Sequence, residues 1–69
     1  MIEVFKTNIT NKKTANDLLL ELAKEIPNSR INFDLEDCDR ILRIENCTIH
    51  TTEVIQILEQ HGYKCELLE

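Results

Sequence analysis

The sequence predicts an α+β sandwich in the order β-α-β-β-α-β, a four-stranded antiparallel sheet with two helices on one face. Three observations carry that expectation. Two stretches with helical apolar spacing, residues 13–26 and 51–62, bracket two stretches that alternate, residues 29–36 and 40–46. Strand-like residues stand at both ends, in 2–9 and 63–69. The chain has one glycine and one proline, Gly62 and Pro27, and each falls where a helix should stop.

The first strand is "IEVFKTNI". Its alternation is broken: Ile2 and Val4 share one register, while Phe5, Thr7 and Ile9 share the other. A bulge near Val4–Phe5 would reconcile the two. "KTANDLLLELAKEI" follows as a helix, with Ala15, Leu18, Leu19, Leu22, Ala23 and Ile26 forming one apolar face. Asn11 or Thr14 supplies the N-cap, and Thr14 with Asp17 resembles a capping box. Pro27 ends the helix, because it lacks an N–H and disfavours helical backbone before it.

In "SRINFDLE", Ile31, Phe33 and Leu35 face one way and Asn32, Asp34 and Glu36 the other. In "RILRIEN", Leu42 and Ile44 point inward, with Ile41, Arg43 and Glu45 outward. A four-residue turn, Asp37 to Arg40, would set Leu35 opposite Leu42, Phe33 opposite Ile44 and Asp34 opposite Arg43. "TTEVIQILEQHG" is the second helix, with Val54, Ile55 and Leu58 as its stripe, Ile57 broadening it and Thr51 as the expected N-cap. Gly62 suits the left-handed residue after a helix. "YKCELLE" closes the sheet, with Tyr63, Cys65 and Leu67 on one face. Right-handed crossovers turn this order into a split βαβ, ferredoxin-like arrangement. The uncovered face, with Asn32, Asp34, Glu36, Arg43 and Glu45, should stay wet.

Sixty-nine residues make a single domain spanning 1–69. Met1 opens the chain without an apolar run suited to a signal peptide or membrane span, so a complete, cytoplasmic protein is expected. Net charge is −5, against the basic stripe that nucleic-acid binding needs. The aromatic platform of an RNA-binding sheet is missing as well. Cys38, Cys47 and Cys65 are odd in number, widely spaced and without a CxxC, a pattern of reduced thiols rather than a disulfide framework.

With these elements in place, the chain resembles the heavy-metal-associated domain family, which includes the small copper chaperones and the N-terminal modules of metal-transporting ATPases. "ELAKEIPNS" is similar to the family's end-of-helix stretch, and "VIQILEQHGYKCELLE" to its closing helix, Gly-Tyr turn and last strand. The resemblance covers nearly the whole chain and implies a ferredoxin-like fold. It also implies a Met-Thr-Cys-x-x-Cys metal loop after the first strand. Laid on this chain, the Met falls on Ile9, the Thr on Thr10, the first Cys on Asn11 and the second on Thr14. "ITNKKT" thus stands where the metal loop would be, without thiolates to hold a soft cation such as Cu(I).

The resulting expectation is a non-enzymatic binding or adaptor module, a degenerate domain of this type with no metal site and no cofactor. Its expected partner is another protein. The family meets its partners at the metal-loop end, so the implied contact surface is Asn11, Lys12, Lys13, Thr14, His61 and Tyr63. Two alternatives stand beside it. One is metal binding through other ligands: Cys38 with Asp37 or Asp39 and His61, or the "CTIH" pair Cys47 and His50. The other is a small anion held by Lys12 and Lys13 at the first helix start, with Lys6 nearby. Each residue also has a plainer role: Asn11 and Thr14 as caps, the lysines as solvated charge, Cys38 as a turn thiol and Cys65 as core. No Ser/His/Asp arrangement or glycine-rich phosphate loop occurs, so catalysis is not expected.

Overall fold

The computed structural model describes residues 2–68. Its elements are β1 (Ile2–Thr7), α1 (Lys12–Glu25), β2 (Arg30–Asp34), β3 (Ile41–Glu45), α2 (Thr51–Gln60) and β4 (Cys65–Leu67). The strands form one antiparallel sheet in the order β2-β3-β1-β4. This is the ferredoxin-like α+β layout, with β2 and β4 at the two edges. The core lies between helices and sheet. Phe5, Ile9, Leu22, Ile26, Leu42, Ile44, Val54 and Leu58 are fully buried there, each burial favourable by roughly 2 kcal/mol.

The broken alternation of β1 resolves without a bulge. Its pairing with β3 runs unbroken from Ile2 opposite Glu45 to Lys6 opposite Ile41. Phe5 and Thr7 take the core side, and Ile9 is buried just beyond the strand. Ile2 and Val4 take the opposite side, where Ile2 is 51% exposed. The open face therefore combines the expected polar residues with the apolar side chains of Ile2, Val4 and Ile41.

The β2–β3 hairpin departs from the expected register by two residues. Phe33 lies opposite Leu42, Ile31 opposite Ile44, Asn32 opposite Arg43 and Asp34 opposite Ile41. The connection is the six residues Leu35 to Arg40 rather than four. Local bonds build it. Asp34 Oδ1 accepts from Glu36 N, Asp37 Oδ1 from Asp39 N, and Asp37 O from Arg40 N. Arg40 adopts φ 50 and its guanidinium donates back to Leu35 O.

At α1, Asn11 is the N-cap and Thr14 lies inside the first turn, so the expected Thr14–Asp17 capping box does not form. At α2 the N-cap position is His50, not Thr51. No side chain caps that end; the His50 carbonyl accepts from Glu53 N and Val54 N, and Glu53 complements the helix dipole. The C-terminus closes as expected. Gly62 has φ 87, its N–H donates to Glu59 O, and Tyr63 N–H donates to Leu58 O. That pair of bonds is a Schellman motif. Tyr63 belongs to this closure, so β4 starts at Cys65 instead.

Candidate functional site

The loop end of the sheet gathers three connections: β1 to α1, β2 to β3, and α2 to β4. The stretch "TNITNKKT" ties them together. Thr7, only 6% exposed, donates through Oγ1 to Arg40 O at 2.6 Å, and its N–H donates to Asp39 O and Arg40 O. The same Oγ1 accepts from Ile9 N at 3.3 Å, which turns the chain away from the strand. Asn8 Oδ1 accepts from Lys64 N at 2.9 Å and fixes the start of β4. Asn11 Oδ1 accepts from Thr14 N at 2.8 Å and starts α1. Lys6 reaches Asp39 at 3.8 Å across the same end. Thr7 and Asn8 therefore act as staples between loops, while Asn11 caps α1.

Asn11 and Thr14 are the two positions on which the resemblance would place thiolates, and here they are joined by a cap. Ile9, on which the resemblance would place the methionine, is wholly buried. Neither amide nor hydroxyl oxygen suits a soft monovalent metal. What the arrangement can do chemically is hold three loops in fixed relation.

The six residues expected to form a contact surface divide into four settings. Thr14, His61 and Tyr63 come together, lining a groove of about 720 Å³ with Asp17, Leu20 and Lys24 of α1. Lys12 lies on another groove, about 400 Å³, between α1 and the β2 edge. Asn11 is occupied as the cap, and Lys13 is exposed. Neither Lys12 nor Lys13 has an ion-pair partner among the described residues.

Leu20 is the residue that reading the sequence missed. It is 62% exposed, the largest exposure among the large hydrophobics of the described residues, and it lines the groove with Tyr63. A signal was present: in "LLL", Leu18 and Leu19 continue the core stripe, and Leu20 falls on the polar side of the helix.

Among the described residues, one set of three metal-ligating side chains converges: Asp37, Cys38 and Asp39 bring their ligand atoms within 4.8 Å of one another. His61 is not part of that set. Asp37 already accepts from Asp39 N, and Cys38 is an exposed free thiol. Cys47 and His50 sit at the opposite end, where Ser29 and Asn46 tie the α1–β2 and β3–α2 connections. Cys47 Sγ donates to Ile49 O at 3.4 Å, and His50 is exposed. Cys65 is buried as expected of a core residue. Burial, with Glu59 adding to it, pushes its thiol pKa up to about 12, far from the range of a reactive or metal-binding cysteine.

No protein-family model, curated protein or solved structure matches the chain. No helix among the described residues is long and apolar enough to cross a membrane.

Proposed function

We propose that this chain is a non-enzymatic binding or adaptor module, resembling a heavy-metal-associated domain whose loop end contacts another protein instead of a metal. The observation that carries the proposal is the groove of Leu20, Tyr63, His61 and Thr14. A large apolar side chain left 62% exposed on an otherwise polar helix face has no role in the core. Flanked by Asp17 and Lys24, it suits a partner's apolar side chain ringed by polar groups. The stapled loops support the same reading, since a pre-ordered surface loses little entropy on docking. A reducing, cytoplasmic setting fits three cysteines that are all free thiols. Net charge −5 sets the module apart from nucleic acid.

The test compares the wild-type chain with Leu20→Glu as affinity baits in extract of the source cells. One partner should be retained by the wild type and lost by the variant, with the variant's amide spectrum otherwise unchanged. A partner held equally by both baits would refute the groove as the contact surface. Titration with Zn²⁺ and phosphate separates the competing ligand classes. Shifts at Asp37–Asp39 would indicate a metal module, and shifts at Asn8–Thr14 an anion module.

A further inference from the structure

The edge strand β2, "RINFD", has a charge pattern that is its own complement. Arg30, Asn32 and Asp34 are exposed along the open face, while Ile31 and Phe33 turn toward the helices. When two such strands run antiparallel about a two-fold axis at Asn32, Arg30 of each copy lies opposite the partner's Asp34. Ile31 likewise lies opposite the partner's Phe33. Both faces then match in one register: unlike charges on the outside, apolar pairs on the inside. A two-fold centred on Ile31 would instead leave Arg30 and Asp34 each facing an asparagine.

We propose that two copies of this chain pair through their β2 edges, in the register centred on Asn32, to make one continuous eight-stranded sheet. Three features of the edge support it. Neither Arg30 nor Asp34 has an ion-pair partner among the described residues, so both charges are free to be used. Asp34 engages one carboxylate oxygen with Glu36 N, at 3.3 Å, and keeps the other. Beside the strand runs a groove whose lining includes the half-buried Leu19, Phe33 and Leu35, apolar surface that a second copy paired on this edge would help to cover. The other edge, β4, is three residues long, and its groove is lined by Lys6, Lys64, Glu59 and Glu66. The β2 groove shares no lining residue with the Leu20–Tyr63 groove, so pairing and partner docking occupy separate surfaces.

Charge exchange tests the pairing. Wild type, Arg30→Asp, Asp34→Arg and the double variant R30D/D34R are compared by sedimentation equilibrium over a concentration series. The wild type and the double variant should both approach twice the monomer mass of 8.1 kDa. Each single variant, with like charges opposed, should dimerise at least about tenfold more weakly. On wild type alone, hydrogen exchange at the β2 amides should slow as concentration rises, a readout independent of how the variants fold. The proposal is overturned by a wild type that stays monomeric with concentration-independent β2 exchange. It is equally overturned by single variants that dimerise as tightly as wild type, which would place the interface elsewhere. A folded double variant that stays monomeric also counts against it.

Discussion

Replacing Asn11 by alanine removes the oxygen that accepts from Thr14 N at 2.8 Å. An N-cap of this kind contributes about 1 kcal/mol, within a range of roughly 0.5–2. Two features of the site set where in that range the loss should fall. The bond is exposed, so water can partly replace it. Against that, α1 has no acidic residue in its first turn, and Lys12 and Lys13 stand there instead. Cations near the positive end of the dipole cost a few tenths of a kcal/mol, so nothing else offsets the missing cap. The expected loss is therefore about 1 kcal/mol, a fall in Tm of roughly 4–8 °C for a domain of this size. Thermal melts followed by helical circular dichroism measure it. Asn11→Asp keeps the acceptor and adds a negative charge beside the lysines. It should melt at or above wild type, with a gain that shrinks in high salt. A Tm for Asn11→Ala within about 1 °C of wild type, or equal melts for the alanine and aspartate variants, would refute the idea that this position acts as a cap.

Other expectations rest on different parts of the molecule. Phe5→Ala, at a fully buried position on a central strand, should cost about 3–5 kcal/mol; urea denaturation should show most of the stability of so small a domain gone. Gly62→Ala should cost about 1 kcal/mol, because φ is 87 and an added Cβ meets no atom within 4 Å, leaving backbone strain as the whole cost. A variant as stable as wild type in the same assay would contradict that assignment. The Cys65 thiol, held up to about 12 from an ordinary value of 9.0, contributes stability that is complete below pH 9.0 and is lost as pH rises toward 12. Cys65→Ala should flatten that alkaline decline. In thiol labelling of the native protein, Cys38 should react first and Cys65 only on unfolding.

The sequence made the element order legible because each helix carries a continuous stripe and β2 and β3 each alternate cleanly. It misled about the hairpin register for a physical reason. A two-residue slip leaves every side chain on the same face, so Phe33 opposite Leu42 satisfies the pattern as well as Phe33 opposite Ile44. What decides between them is the Leu35–Arg40 connection, with Arg40 at positive φ and Thr7 bonding its carbonyl from β1. That long-range contact leaves no local signature. The double register of β1 has a similar origin: Ile2 and Val4 belong to the open face, and alternation alone suggests a bulge when both faces carry apolar residues. His50 took the cap position from Thr51 through its backbone only, which residue preference does not reveal. At the loop end, Asn11 as a cap was legible from residue type. The stapling by Thr7 and Asn8 was not, because their partners Arg40 and Lys64 lie 33 and 56 residues away.

On the function proposed above, the loop Ile9–Thr14 would hold the place of a metal loop but work as a joint beside a groove that docks a partner protein. The most direct measurement is an amide-resolved Cu(I) titration of the reduced wild-type chain and of the double variant N11C/T14C. No shift is expected at Ile9–Thr14 in the wild type, and saturable shifts are expected there, at one equivalent of metal, once the two thiolates are installed. Metal-induced shifts at those amides in the wild type would show that the loop binds metal without thiolates. A folded double variant whose loop stays silent would show that this is not the place of a metal loop, and the resemblance would fall with it.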